Sequence, residues 1–187
     1  MSENAREAIL EAARLAAQHY GYSGINFRSI GETVGIKNAS IYYHFPSKAD
    51  LGAAVARRYW EDAASALAAI RSENPEPLQC LRAYPSIFRK SLEDGNRLCL
   101  SSFMAAEYQD LPEPVKKEIL TFADTNVAWL AALLAEIEPA GAEACERRAR
   151  AIYTAIAGAQ LIARTRADLG LYDELVQSYR DAGLIPA

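Results

Sequence analysis

The sequence predicts an all-α protein of about nine helices: a small three-helix unit built on a helix-turn-helix, followed by a larger helical one. Three observations carry that prediction. Apolar residues recur at alternating spacings of three and four, the period of one buried helix face, as in Val115, Ile119, Phe122, Asn126, Trp129, Leu133 and Ile137. Turn-forming residues punctuate such stretches, at Gly21, Gly35, Pro46, Pro75, Gly95, Pro112 and Gly141. No segment of useful length alternates apolar and polar residues as a half-buried strand would, and there is no internal repeat. With 187 residues, 51% hydrophobic and 24% charged, the chain accommodates one small module and one larger core.

Residues 5–20 read as a support helix, with Ile9, Ala13, Ala16 and Tyr20 on one face and Ala12 and Ala17 beside them, ended by Gly21. His19 reads as a structural or solvated residue. Residues 24–52, around which the chain is organised, read as the helix-turn-helix and the start of a third helix. Asn26 is the candidate N-cap of a short helix over Arg28–Val34, and Gly35 makes the turn because it takes a positive φ cheaply. The second short helix, Asn38–Phe45, ends before Pro46. Ser47 caps the next helix, with Asp50 three residues on in the place of a capping-box acid.

The polar inventory of this stretch points to DNA. Ile30, Val34, Ile36 and Ile41 have the spacing to pack the two short helices together, which leaves Lys37, Asn38, Ser40, Tyr43 and His44 facing outward. In a helix-turn-helix such residues enter the major groove and meet base edges. Tyr42, His44 and Lys48 have donors suited to phosphate oxygens, and the helix start at Lys48 adds backbone N–H groups. Net charge is −4, which by itself opposes nucleic-acid binding. Residues 1–50, however, hold five basic and five acidic groups, so the excess of acid lies wholly in residues 51–187. Binding would rest on a local patch and be strongly salt-sensitive. An ordinary αα-hairpin with surface Tyr and His is the alternative reading of these residues alone.

Gly21-Tyr22, Asn26-Phe27-Arg28-Ser29-Ile30, Val34-Gly35-Ile36 and the run Ser40-Ile41-Tyr42-Tyr43-His44-Phe45-Pro46-Ser47-Lys48-Ala49-Asp50-Leu51 resemble the N-terminal signature of TetR-family transcriptional regulators. The resemblance covers about residues 5–60, and its Tyr-x-His-Phe-x-x-Lys-x-x-Leu portion is highly specific. It implies a DNA-binding domain over residues 1–47 whose contacts come from Asn26, Arg28, Lys37, Asn38, Ala39, Ser40, Tyr42, Tyr43, His44 and Lys48. At Lys37, Asn38 and Ala39 the chain departs from the usual family residues. Those positions face bases, so no operator sequence carries over from a relative.

Beyond the motif, Lys48 to about Ser72 reads as one long helix with Leu51, Val55, Tyr59, Ala63, Ala66, Leu67 and Ile70 on its buried side. Residues 78–94 follow, with Leu81, Tyr84, Phe88 and Leu92 on one face and Pro85 set to kink or divide them. Residues 97–108 read as a short helix. Pro112 and Pro114 open a strong one running to Ile137, ended by Glu138 to Gly141. Residues 142–169 make the last long helix, stopped by Gly170, and 171–182 a final one. The long helix has one stripe of Cys145, Ala149, Ile152, Ile156, Ala159 and Ala163, and a second, small-residue stripe of Ala151, Ala155 and Gly158.

The resemblance implies that residues 48–187 form a helical ligand-binding and dimerisation domain, joined to the DNA module through the helix from 48 to about 72. It places a homodimer interface at Ala151, Ile152, Ala155, Ile156, Gly158, Ala159, Tyr172, Leu175 and Tyr179. It places a pocket for a small-molecule inducer among Tyr84 and Phe88, Cys99, Phe103, Met104 and Tyr108, Phe122, Asn126 and Trp129, and Tyr153 and Gln160. Cys99 is either an electrophile sensor or a small core residue. The implied function is a repressor that leaves a pseudo-palindromic double-stranded operator when its inducer binds. An all-helical enzyme using the second domain has little support, because no Cys–His, Ser–His–acid or metal-ligand set is visible, although spacing leaves Glu107 with Tyr108 open for acid–base work. A second domain that binds another protein is not separable here. No cofactor and no metal are expected. Neither a signal-peptide pattern nor an apolar run of 18 residues is present, and Cys80, Cys99 and Cys145 lack metal-ligand spacing. The expectation is therefore a cytoplasmic protein without membrane contact.

Overall fold

The computed structural model describes residues 2–137 and 141–186, and the expected break at Glu138 to Ala140 lies outside them. Among the described residues there are ten α-helices: α1 (Ser2–Tyr20), α2 (Phe27–Val34), α3 (Asn38–His44), α4 (Lys48–Glu73), α5 (Pro77–Ala83), α6 (Ser86–Glu93), α7 (Leu100–Ala106), α8 (Glu113–Ile137), α9 (Ala142–Arg166) and α10 (Leu169–Asp181). Short 3₁₀ turns occupy Tyr22–Gly24 and Tyr108–Asp110. No strand occurs among the described residues. The tenth helix arises because Pro85 has no N–H to donate and so divides residues 77–93 into α5 and α6.

Three expectations about the elements need correction. Tyr20 is 68% exposed, and the buried stripe of α1 is instead Ile9, Leu10, Ala13 and Ala17. The helix expected over 97–108 is confined to Leu100–Ala106. The N–H of Cys99 donates to the Gln160 side chain (2.9 Å) rather than to a helical carbonyl. The last long helix stops at Arg166 rather than at Gly170: Ala167 turns into the left-handed region (φ 49°), and the Asp168 carboxylate caps α10 by accepting from the Leu171 N–H (3.1 Å). Gly170 thus lies inside α10.

The chain packs as two units. The first comprises residues 1–61 and 100–122, and the second residues 62–99 and 123–187, a different division from the expected boundary at residue 47. In the first unit, the α1 stripe meets Ile25, Ile30, Ile41, Phe45, Leu51 and Val55, and also Leu100, Met104, Leu111, Val115 and Ile119 from later in the chain. A buried carboxylate, Glu118, accepts from Arg57 (2.7 Å) and from the Trp60 indole N–H (2.8 Å).

The second unit is built on Cys80, Leu81, Tyr84, Phe88 and Leu92, on Leu130, Leu133 and Leu134, on the apolar stripe of α9, and on Tyr172 and Val176 of α10. The stripe Cys145, Ala149, Ile152, Ile156, Ala159 and Ala163 is buried throughout, as its spacing predicts. By length and composition α8 is apolar enough to cross a membrane. Its Val115, Ile119 and Phe122 are buried in the first unit and its Leu130, Leu133 and Leu134 in the second.

Candidate nucleic-acid interface

Asn26 opens the interface. Its Oδ1 accepts from the N–H groups of Arg28 (3.0 Å) and Ser29 (3.2 Å), two of the amides that the start of α2 would leave without partners. At the other end, Gly35 (φ 75°) and Ile36 both donate to the Gly31 carbonyl, at 2.9 and 3.0 Å. Gly31 lets the turn close this tightly. A Cβ there would lie 2.9 Å from the Ile36 carbonyl oxygen and 3.0 Å from Asn38 Oδ1. Sequence reasoning passed over Gly31, although a glycine inside a helix with no turn to make is a signal of close packing.

Ile41 anchors α3 with its side chain fully buried, in the same core cluster as Ile30, which is 2% exposed. The opposite face of α3 is therefore turned out: Lys37, Asn38, Ala39 and Ser40 are exposed. Tyr43 is 80% and Tyr42 55% exposed. Two large aromatic side chains held out of the core on one short helix are a feature of a binding surface. The Phe27 and Tyr42 rings lie 4.8 Å apart, and half-buried His44 stands edge-on to Tyr43 at 5.1 Å.

The start of α4 completes the site. Ser47 Oγ accepts from the Asp50 N–H (3.2 Å), the cap expected from the sequence, while the Asp50 carboxylate accepts from the Ser47 hydroxyl (2.7 Å). Lys48 is half-buried, its Nζ 4.5 Å from the centre of the Tyr22 ring and 3.4 Å from the Ser23 carbonyl oxygen. Burial lowers its pKa, and the Glu107 carboxylate acts in the opposite direction. Asn26, Arg28, Asn38, Tyr42 and Lys48 share one open cleft of about 350 Å³ with Ile25 and Phe27. Arg28 pairs with Glu32 at 3.2 Å, but both are exposed, and such a pair holds an arginine weakly. Two cations with amide and phenol donors between them suit a phosphodiester. Lys37, Ala39, Ser40, Tyr43 and His44 lie outside this lining, on or beside α3. Sequence reasoning missed Tyr22 and Glu107, which hold Lys48 in place: the Tyr22 N–H donates to Glu107 at 2.6 Å. Glu107 is thus engaged as a structural acceptor.

The residues assigned to a pocket fall in both units. Tyr84, Phe88, Cys99, Asn126, Trp129, Tyr153 and Gln160 belong to the second; Phe103, Met104, Tyr108 and Phe122 belong to the first. In the second unit they form an aromatic cluster with internal polar pairs. The Tyr84 hydroxyl meets Asn126 Oδ1 at 3.0 Å, Gln160 Nε2 donates to the Phe88 carbonyl (2.6 Å), and Tyr84 stacks on Trp129. Burial pushes the Tyr84 and Tyr153 hydroxyls above their ordinary pKa, so both stay neutral. Cys99 is 1% exposed, which favours its reading as a core residue. In the first unit Met104 is fully buried in the core, and the Phe122 ring lies 5.5 Å from that of Tyr59.

Of the residues assigned to a dimer interface, Ile152, Ile156, Ala159 and Tyr172 are at most 1% exposed within their own unit, where their side chains form core. Ala151 and Gly158 are exposed, and Ala155, Leu175 and Tyr179 half-buried. Leu161 and Ile162 are also exposed, at 46% and 47%. Ile162 continues the 151, 155, 158 spacing by one more turn, a signal that the sequence carried.

Residues 9–55 match the family described as bacterial regulatory proteins, tetR family. The chain is 36% identical over 126 residues to the HTH-type transcriptional repressor AcnR of Corynebacterium efficiens, a match covering 67% of this chain and 56% of that protein. It is also 36% identical over 94 residues to the AcnR repressor of Corynebacterium glutamicum, covering 50% and 44%. The chain spans about half the length of these curated relatives. A TetR-family regulator from Agrobacterium tumefaciens has the same fold, with a TM-score of 0.89 at 28% identity over 97% of this chain and 98% of that one. A TetR regulator from Legionella pneumophila gives 0.83 at 29% identity over 92% and 95%. The chain belongs to the TetR family of bacterial transcriptional regulators.

Proposed function

We propose that the chain is a sequence-specific DNA-binding repressor, acting as a homodimer, that leaves a pseudo-palindromic operator when a small-molecule inducer binds. The observation that carries this reading is the outward face of α3, with Tyr43 80% exposed, beside a cleft that collects Asn26, Arg28, Tyr42 and Lys48. In this reading Lys37, Asn38, Ala39, Ser40 and Tyr43 meet base edges, while Asn26, Arg28, Tyr42, His44 and Lys48 hold the backbone. Residues 1–47 are the reading head, and residues 48–61 and 100–122 support it within the same packed unit. Dimerisation uses the exposed side of α9, where Ala151, Gly158, Leu161 and Ile162 lie, with Leu175 and Tyr179 of α10. The inducer enters the aromatic cluster around Tyr84, Asn126 and Gln160, whose few polar groups in an apolar surround suit a small ligand. It must bind the DNA-incompetent arrangement more tightly than the competent one, or it shifts nothing. The protein works without enzymatic activity in the cytoplasm, where Cys80, Cys99 and Cys145 stay reduced.

A gel-shift of the purified chain against the DNA upstream of its own gene tests the proposal. The expected result is a discrete complex that resists non-specific competitor. Binding no tighter than to a scrambled duplex, across upstream and neighbouring promoter regions, would oppose it.

A further inference from the structure

We propose that a cleft between α5, α6 and α10, remote in sequence from the DNA motif, binds a small organic anion carrying two or more negative charges on carboxylate or phosphate groups, held by Arg82 and Arg180. The cleft, about 350 Å³, is lined by three arginines, Arg82, Arg89 and Arg180, against one carboxylate, Asp173. Its positive balance is not a by-product of composition, since the second unit holds 11 Lys and Arg against 14 Asp and Glu.

Arg89 is already neutralised. Its Nε and one terminal nitrogen meet the two oxygens of Asp173 at 2.8 and 2.9 Å, and its other terminal nitrogen meets Glu93. Arg82 is not, and among the described residues Arg180 makes no ion pair, sharing only the nearby charge of Asp173 with Arg89. Among the described residues, no acceptor pairs with the Arg82 guanidinium, and Arg82 is exposed at the rim. Arg180 donates from its two terminal nitrogens to the Arg82 carbonyl (3.1 Å) and to Gln177 (3.5 Å). An anion seated between the two guanidinium groups meets their terminal nitrogens, which have further N–H groups to donate. Arginine's planar fork matches both carboxylate and phosphate. Ala83, Pro85 and Val176 give the cleft an apolar wall, and the Tyr172 hydroxyl is already committed to the Pro85 carbonyl (2.7 Å). A short carbon skeleton with anionic ends fits such a lining, and the cleft lies within the size range of small-ligand sites.

Isothermal titration of the full chain with malonate and with glycerol phosphate, at ionic strength held constant with potassium chloride, tests this. Saturable binding of either is expected, malonate alone marking a carboxylate site and glycerol phosphate alone a phosphate site. Arg82→Gln and Arg180→Lys should each weaken binding about tenfold, while Lys48→Gln, in the DNA cleft, should leave it unchanged. Should Arg180→Lys lose its helical circular dichroism, Arg82→Gln decides, because the Arg82 side chain is exposed and unpaired. The proposal is overturned if neither anion saturates, if Arg82→Gln binds like the wild type, or if Lys48→Gln abolishes binding.

Discussion

Replacing Lys48 with Ala separates a phosphate contact from a structural one. In the folded protein the ammonium makes a cation–π contact with Tyr22 and a long hydrogen bond to Ser23, so its loss should cost the fold only about 0.5–1 kcal/mol. The effect on DNA should be larger and of a distinct kind. Each neutralised phosphate contributes about −0.9 to the slope of log K against log salt, and the proposed dimer would use the contact twice. The variant's slope should therefore be shallower by about 1.8, and the ratio of wild-type to variant affinity should shrink about twelvefold between 50 and 200 mM salt. The assay is fluorescence anisotropy on an operator duplex and on a scrambled duplex over that salt range, with circular dichroism to confirm the fold. Specific and non-specific binding should weaken together. Parallel salt plots for wild type and variant would refute the phosphate assignment, and a loss confined to the operator would move Lys48 to the base-reading group.

Tyr43→Ala removes a side chain that is 80% exposed, so stability should hold while the operator-to-scrambled affinity ratio falls by about 1–3 kcal/mol, read in the same anisotropy assay. Glu118→Ala removes a carboxylate that is 4% exposed and should cost roughly 2–3 kcal/mol in urea denaturation at neutral pH. Burial alone would raise the Glu118 pKa, but the hydrogen bonds from Arg57 and Trp60 and the nearby positive charge outweigh it and hold the carboxyl below its ordinary value. Its contribution is thus complete above the unfolded value of about 4.3 and fades as pH falls through the depressed one, so wild type and variant should converge in acid. A fragment of residues 1–61 lacks Leu100, Met104, Leu111, Val115 and Ile119, each at most 5% exposed; at about 2 kcal/mol apiece their loss rivals the whole stability of a domain, and no cooperative thermal transition is expected.

What the sequence disclosed was chemistry that acts over a few residues. The Asn26 cap, the Gly35 turn and the Ser47–Asp50 cap are local devices, and each stands where its residue type predicts. Tyr20 was misplaced because a spacing of three and four selects a face without saying where that face ends. Ala167 was missed because a left-handed residue other than glycine leaves no mark in the sequence; Asp168, capping α10, holds the turn instead. α7 starts later than its spacing predicts because the Cys99 N–H finds its acceptor 61 positions away, in Gln160. The pocket residues are polar or aromatic members of helices, and helical spacing carries no information on which packed unit each one joins.

Lys48 shows how far the motif depends on residues outside it. Its aromatic platform is Tyr22, and the Tyr22 backbone N–H is held by the Glu107 carboxylate across a separation of 85 residues, at 2.6 Å. A hydrogen bond to a charged acceptor at that distance is among the stronger ones a backbone amide makes. Glu107 also bears on the charge itself: burial disfavours the Lys48 ammonium, and the nearby carboxylate favours it. The lysine is thus partly desolvated and packed on a ring, so in the proposed contact with a phosphate it would have less hydration and less rotamer freedom to lose. The Tyr22 ring is also packed against the core of the first unit, and its carbonyl accepts from the Ile25 N–H (3.1 Å), so Glu107 steadies the platform rather than making it.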